Sequence, residues 1–257
     1  IETINLPTEN QPFILNNIAL ACYAKLGGTP WLLASPKGQG IAHELIIGLG
    51  SATLRESRLQ GEERYVGITT LFNYDGVYLL SNISRESAYN QYSQALQSAL
   101  LSSIERVSVQ KGWQPGDRVR LIFHTFKPLK NVEIETVKRL VKENLAQFSL
   151  DFGFVVIGQD HEWTMYDPTS PGFTTRQGAV RGRQAPKRGT TMFLDNQRAL
   201  LAVTGPAELR STDQGCPTPI QIMLNGASTF QDLEYLTRQI YEFTHMSWKT
   251  FSLAPMP

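Results

Sequence analysis

The sequence predicts an α/β domain built on a sheet of mixed strand direction, and three observations carry that prediction. Short apolar or β-branched runs recur with turn residues between them. The apolar period switches twice from that of a strand to that of an amphipathic helix. Each of those helices is followed by a further apolar run, giving three strands in sequence and then helix, strand, helix, strand, the order of a mixed sheet with crossover helices.

Each element has its own signal. Glu44-Leu45-Ile46-Ile47-Gly48-Leu49 is a short apolar run that reads as a buried strand. Tyr65 to Phe72 is β-branched and aromatic, Asn73-Tyr74-Asp75-Gly76 turns the chain, and Val77 to Ser81 returns it as a hairpin. Tyr89, Tyr92, Leu96, Ala99, Leu100 and Val107 fall at helical spacing, with Gly112 near the end of that helix. Pro115-Gly116-Asp117 introduces a strand from Arg118 to Phe123. A helix from Val132 to Ala146 follows, with Asn131 as its N-cap and Glu133 and Glu135 in its first turn. Phe152 to Gly158 is the next apolar strand. This order, β-β-β-α-β-α-β, is that of an RNase H-like sheet.

Composition narrows the classes. A chain of 257 residues with an apolar fraction of 41% can bury a full core, and no apolar run is long enough to cross a bilayer. No secretory signal opens the chain. The two cysteines, Cys22 and Cys216, are isolated, which fits a reducing cytoplasm and gives no zinc spacing. His43, His124, His161 and His245 are scattered singly, which argues against a histidine metal site. The net charge of +1 decides nothing; its distribution matters more.

From Pro168 to Leu194 there are five basic residues, Arg176, Arg181, Arg183, Lys187 and Arg188, and no acid until Asp195. Interleaved Gly172, Gly178, Gly182 and Gly189 predict a mobile loop that lays guanidinium groups along a phosphate backbone. A solvated surface loop is the other reading. At the front of the chain, Phe13 to Lys25 is helical in pattern and stops at Lys25-Leu26-Gly27-Gly28. Lysine in a last turn complements the helix dipole, and glycine supplies the left-handed cap.

Taken together, these residues resemble the Argonaute/PIWI family, first of all its short bacterial type, with long inactive members as the other possibility. Lys25-Leu26-Gly27-Gly28 looks like the end of that family's MID lobe, and Glu44 onward like its PIWI domain. Gly189-Thr190-Thr191 resembles the opening of a late PIWI strand, and Pro217 to Leu224 its proline-led strand. The helix with Phe230, Leu233, Leu236, Ile240 and Tyr241, and then Ala254-Pro255-Met256-Pro257, resembles its closing helix and proline turn. The resemblance implies the C-terminal part of a MID lobe over 1–37 and an RNase H-like PIWI domain over 38–257.

It also implies roles, position by position. Cleaving members carry metal-binding aspartates at two strand ends that here read Gly50 and Phe126. A two-metal site needs several carboxylates, so the resemblance implies a non-cleaving protein without a catalytic metal. Along the family's helix before Gly-Gly, residues grip the guide's 5′ phosphate, with Mg2+ admitted at that end. Asn17 and Lys25 match those residue types and Ala21 does not. The implied partners are a guide strand (RNA), a complementary target (DNA) and an associated effector protein or domain acting in defence. Two other readings stay open. One is an RNase H-class nuclease with another acid set, built from Asp75, Glu86 and Asp117, although Glu86 also suits a helix N-terminus and turns favour Asp for backbone reasons. The other is a sugar-kinase or actin-like relative without nucleic acid.

Overall fold

Strands that are buried on both faces must be apolar at consecutive positions, and the central strands of this protein are. The computed structural model describes residues 11–34, 38, 40–54, 63–82, 86–88 and 91–246, with backbone alone for 13, 51–54, 63–68 and 86–88. The elements are α1 (Gln11–Lys25), β1 (His43–Leu54), β2 (Glu63–Asn73), β3 (Tyr78–Asn82), β4 (Glu86–Ala88), α2 (Tyr92–Lys111), β5 (Arg118–Thr125), α3 (Asn131–Asn144), β6 (Ser149–Gly158), β7 (Phe173–Thr174), β8 (Val180–Arg181), β9 (Thr191–Phe193), β10 (Arg198–Leu201), β11 (Ile220–Leu224) and α4 (Leu233–Phe243). The main sheet runs β3-β2-β1-β5-β6-β11-β10-β9, with β4 beside β2. β1, β5 and β6 are parallel and the remaining pairs antiparallel. This is the predicted RNase H-like order, extended by further strands.

Period-two alternation sends the two sides of each strand into separate cores. Leu45, Ile47, Leu121, Phe123, Phe152 and Phe154 pack with Leu96, Leu100 and Ile104 of α2 and Val137 and Leu140 of α3. Ile122, Val155 and Ile222 face the other way, into Leu233, Leu236 and Ile240 of α4. Among the described residues no helix is long and apolar enough to cross a membrane.

Several local expectations are corrected. α2 begins at Tyr92, and Glu86 stands in β4 opposite Tyr65, so it is not a helix N-terminal charge; Tyr89 lies outside the described residues. Asn131 is the first helical residue of α3; the cap position is Lys130, whose N–H donates to the Glu133 carboxylate at 2.6 Å. Phe230 precedes α4 and is tied by its N–H to the Phe152 carbonyl. Gly112 does end α2, at φ 66°.

One buried polar cluster joins the layers. Glu44 is fully buried on β1, where it accepts from Arg120 Nη1 at 3.0 Å, Tyr235 Oη at 2.7 Å and Gln239 Nε2 at 2.6 Å. The Arg120 guanidinium lies 3.7 Å from the Phe230 ring centroid and 5.0 Å from that of Tyr235. Removing one partner of a buried pair strands the other's charge. Glu44→Leu should therefore lower the unfolding free energy by about 3–5 kcal/mol in urea denaturation. Adding Arg120→Met should recover part of that loss; simply additive losses would refute the pairing argument.

Candidate nucleic-acid interface

The parallel pairing of β1 with β5 runs from His43 opposite Val119 to Leu49 opposite Thr125. Gly50 and Phe126 are the next residues on the two strands, so the register delivers them side by side. A Cβ added to Gly50 would stand 3.9 Å from Phe126 Cε1. Beside Gly50 the β1–β2 ladder slips, Leu49 facing Thr69 and Ser51 facing Val66, which bends the strand end. The Phe126 ring is 56% exposed, and Lys127 Nζ lies 5.6 Å from its centroid.

These strand ends form one wall of a groove of about 650 Å³, whose lining includes Thr70, His124, Phe126, Gln159, Asp160 and Ile220. Burial pushes the His124 imidazole down to about 4, so it is neutral near pH 7, and its Nε2 is sealed without a partner. Glu133 borders the adjoining cavity, with its carboxylate taken by the Lys130 N–H and the Tyr92 hydroxyl. Among the described residues, no three His, Cys, Asp or Glu side chains converge on a metal-sized space. Gln159 and Asp160 were missed by sequence reasoning; the rule that sites gather beyond the carboxyl ends of parallel strands would have found them.

The alternative acid set is not brought together. Asp75 follows the Asn73 end of β2 and Asp117 precedes β5, both beside the start of β1, whereas Glu86 pairs with Tyr65, opposite Ala52. That spans most of β1, on the order of 20–30 Å at the rise of a strand. Asp117 is held by the Gln114 N–H at 2.7 Å and His43 Nε2 at 3.1 Å, and the first of these leads in lowering its pKa. Asp75 accepts from the Val77 N–H, as turn aspartates do.

Asn17 and Lys25 lie two helical turns apart on α1, with Lys25 exposed in the last turn. Gly27 closes the helix at φ 87°, and Gly28 passes beneath the Tyr23 ring, where a Cβ would come within 2.4 Å. The segment after the helix docks on the domain through Trp31 Nε1 to the His245 carbonyl at 2.9 Å and Leu33 N–H to the Asp75 carbonyl at 2.9 Å. Neither Asn17 nor Lys25 is anionic, so they do not by themselves form a Mg2+ site.

The basic stretch is built, not slack. β7 and β8 pair as a hairpin, and Ala185 is fully buried. Gly178 faces open space at positive φ, whereas Gly172 and Gly182 have positive φ at contacts with Arg181 and Leu209 that leave no room for a Cβ, and Gly189 sits tightly against the Tyr241 ring. The last three glycines serve close packing, which explains why the expected mobile loop is a structured lobe. Its five cations separate into two groups. Arg181 donates to the Leu209 carbonyl and stacks 5.3 Å from the Phe173 centroid; Arg188 donates to the Val203 carbonyl and, at 2.6 Å, to Thr244 Oγ1. Arg176, Arg183 and Lys187 are exposed.

The match to a family model describing the Piwi domain covers residues 1–257. The chain is 34% identical to an Argonaute protein of the bacterium Cereibacter sphaeroides over 99% of its length, spanning 33% of that protein. It is 24% identical to a Piwi protein of Archaeoglobus fulgidus, spanning 57% of it. The fold superposes on Argonaute of Aquifex aeolicus with a TM-score of 0.67 at 17% identity, covering 97% of this chain and 31% of that one. It also superposes on Marinitoga piezophila Argonaute, crystallised with a 5′-hydroxyl guide RNA and target DNA, with a TM-score of 0.53 at 13% identity over 79% of this chain and 26% of that one. The strand order, the site at the ends of β1 and β5, and the full-length family match lead to one assignment: this chain belongs to the Piwi family, as a PIWI domain of the Argonaute type.

Proposed function

We propose that this domain holds a guide strand, RNA by preference, and captures its complementary DNA target without cutting it. In this reading 1–37 is the end of a MID lobe, 38–257 is the PIWI domain, and target capture is passed to an effector protein or domain in cytoplasmic defence. The observation that carries it is the pair Gly50 and Phe126 at the adjoining ends of β1 and β5, where a cleaving RNase H-like site needs carboxylates. The guide RNA and target DNA bound by the Marinitoga relative support the choice of strands.

Two outcomes follow from this reading, and a third would overturn it. Guide-loaded protein should leave a matched target intact with magnesium or manganese on a denaturing gel. Gly50→Asp should leave it intact too, because the Phe126 ring still occupies the second ligand position. Cleavage that vanishes on Glu86→Ala would overturn the assignment in favour of a nuclease.

At the other end of the site, Lys25→Glu should weaken a 5′-phosphorylated guide by roughly 1.5–3 kcal/mol and a 5′-hydroxyl guide far less. Equal losses, with a lowered melting temperature, would return Lys25 to helix capping.

The two groups of cations should also part company. Replacing Arg176, Arg183 and Lys187 with serine should flatten the salt dependence of log affinity by about 2, at roughly 0.7 per single-strand phosphate contact, without lowering the Tm. Arg188→Ser should instead cost about 1–3 kcal/mol of stability, because it takes the guanidinium donor from the Val203 carbonyl and leaves Thr244 Oγ1 with only its bond to the Tyr241 carbonyl.

A further inference from the structure

The lobe between β6 and β9 carries large aromatic side chains that stand out into solvent. Trp163 is 51% exposed, Tyr166 66% and Phe173 41%. Their backbone is held. The Trp163 N–H donates to His161 Nδ1 at 3.1 Å, and His161 Nε2 meets the Pro219 carbonyl at 2.9 Å. Met165, between the two exposed rings, is buried. Beyond Tyr166, the Asp167 N–H donates to the Gln184 carbonyl at 2.8 Å and the Gln184 N–H to the Ser170 carbonyl at 3.1 Å. Gln184 holds φ 64°, a conformation that persists in a non-glycine residue only where its surroundings fix it. Rigid backbone thus presents rings to solvent.

Charge narrows the partner. From Gln159 to Gly189 there are five arginines and lysines against three acids, Asp160, Glu162 and Asp167. The carboxylate of Asp167 accepts from the Thr169 N–H and hydroxyl at the surface, and these bonds, with Lys187 nearby, hold its pKa down. With the half-buried Arg181 and Arg188 counted, five cations against three acids leave this segment net positive, and Arg176, Arg183 and Lys187 are its exposed cations. Aromatic faces among cations suit bases with open π faces, which a single strand offers and a duplex does not.

We propose that Trp163 and Tyr166 form a stacking platform for unpaired nucleic acid, with Phe173 as a neighbouring ring and Arg176, Arg183 and Lys187 meeting its phosphates. Asp160 in the groove is only three residues from Trp163, so the platform takes the unpaired flank of a strand leaving the groove. This rests on the nucleic-acid reading above and goes beyond it by separating a single-strand surface from the site that holds the paired region.

The test uses the whole chain and oligothymidine, which forms no duplex. Titrating it should quench tryptophan emission, and Trp163→Phe should remove a distinct part of the quench, whatever remains coming from Trp31, Trp113 and Trp248. Tyr166→Ala should weaken oligothymidine roughly fivefold or more, the loss expected for one stacking ring. A second arm compares guide-loaded protein on matched targets with and without an oligothymidine extension. The extension should add affinity in the parent and add none in a Trp163→Ala, Tyr166→Ala double variant. A quench unchanged in Trp163→Phe, a blunt duplex that quenches equally, or no binding of oligothymidine would overturn the platform. Loss of guide-dependent capture with the oligothymidine quench intact would overturn the guide reading alone.

Discussion

The pairing of β1 with β5 is the constraint on which the site depends, and an ion pair lies within it. Glu44 and Arg120 are register partners, joined at 3.0 Å and sealed from water by Phe230, Tyr235 and Gln239. A slip of one residue would turn the Glu44 side chain to the opposite face, among Leu45, Ile47 and the α2 side chains. A carboxylate there would have no partner, a far larger penalty than any apolar mismatch. The pair therefore selects a register more than it adds stability. The same register, six residues further along each strand, sets Gly50 beside Phe126.

What could be read from the sequence follows from how local each signal was. The apolar runs of β1, β5 and β6 were legible because burial on both faces keeps consecutive positions apolar, with Glu44 and Arg120 as paired exceptions. The end of α2 was legible because a left-handed cap demands glycine, and Gly112 supplies it. β4, β7 and β8 were not, since strands of two or three residues carry no period and exist through their partners. The N-cap of α3 was misread by one residue because Glu133 reaches back to a backbone N–H, which needs no particular side chain at Lys130.

The glycines of the basic lobe were misread for a more general reason. Glycine signals both freedom and crowding, and the sequence does not distinguish them. Gly172, Gly182 and Gly189 are crowded. That crowding changes what the cations can do. Arg181 and Arg188 are drawn inward to close the carbonyls of Leu209 and Val203, while Arg176, Arg183 and Lys187 are left outside. A stretch that reads as five equivalent charges is a clamp of two and a surface of three.

Gly50 and Phe126 are also coupled to each other. At 3.9 Å from the ring, a Cβ at position 50 is in ordinary contact, but a carboxylate branching from it would compete with the ring for the same space. An acid there would be partly desolvated against an aromatic face with no cation to match it, except Lys127, which already lies over the ring. Glycine avoids that conflict, and the ring then covers the strand end. In the non-cleaving reading proposed above, an acid at position 50 alone would gain neither neighbouring carboxylates nor the space it needs beside the Phe126 ring. An apolar, half-open surface of this kind can pack against a sugar or a base, which is how the strand ends would serve the proposed holding of nucleic acid.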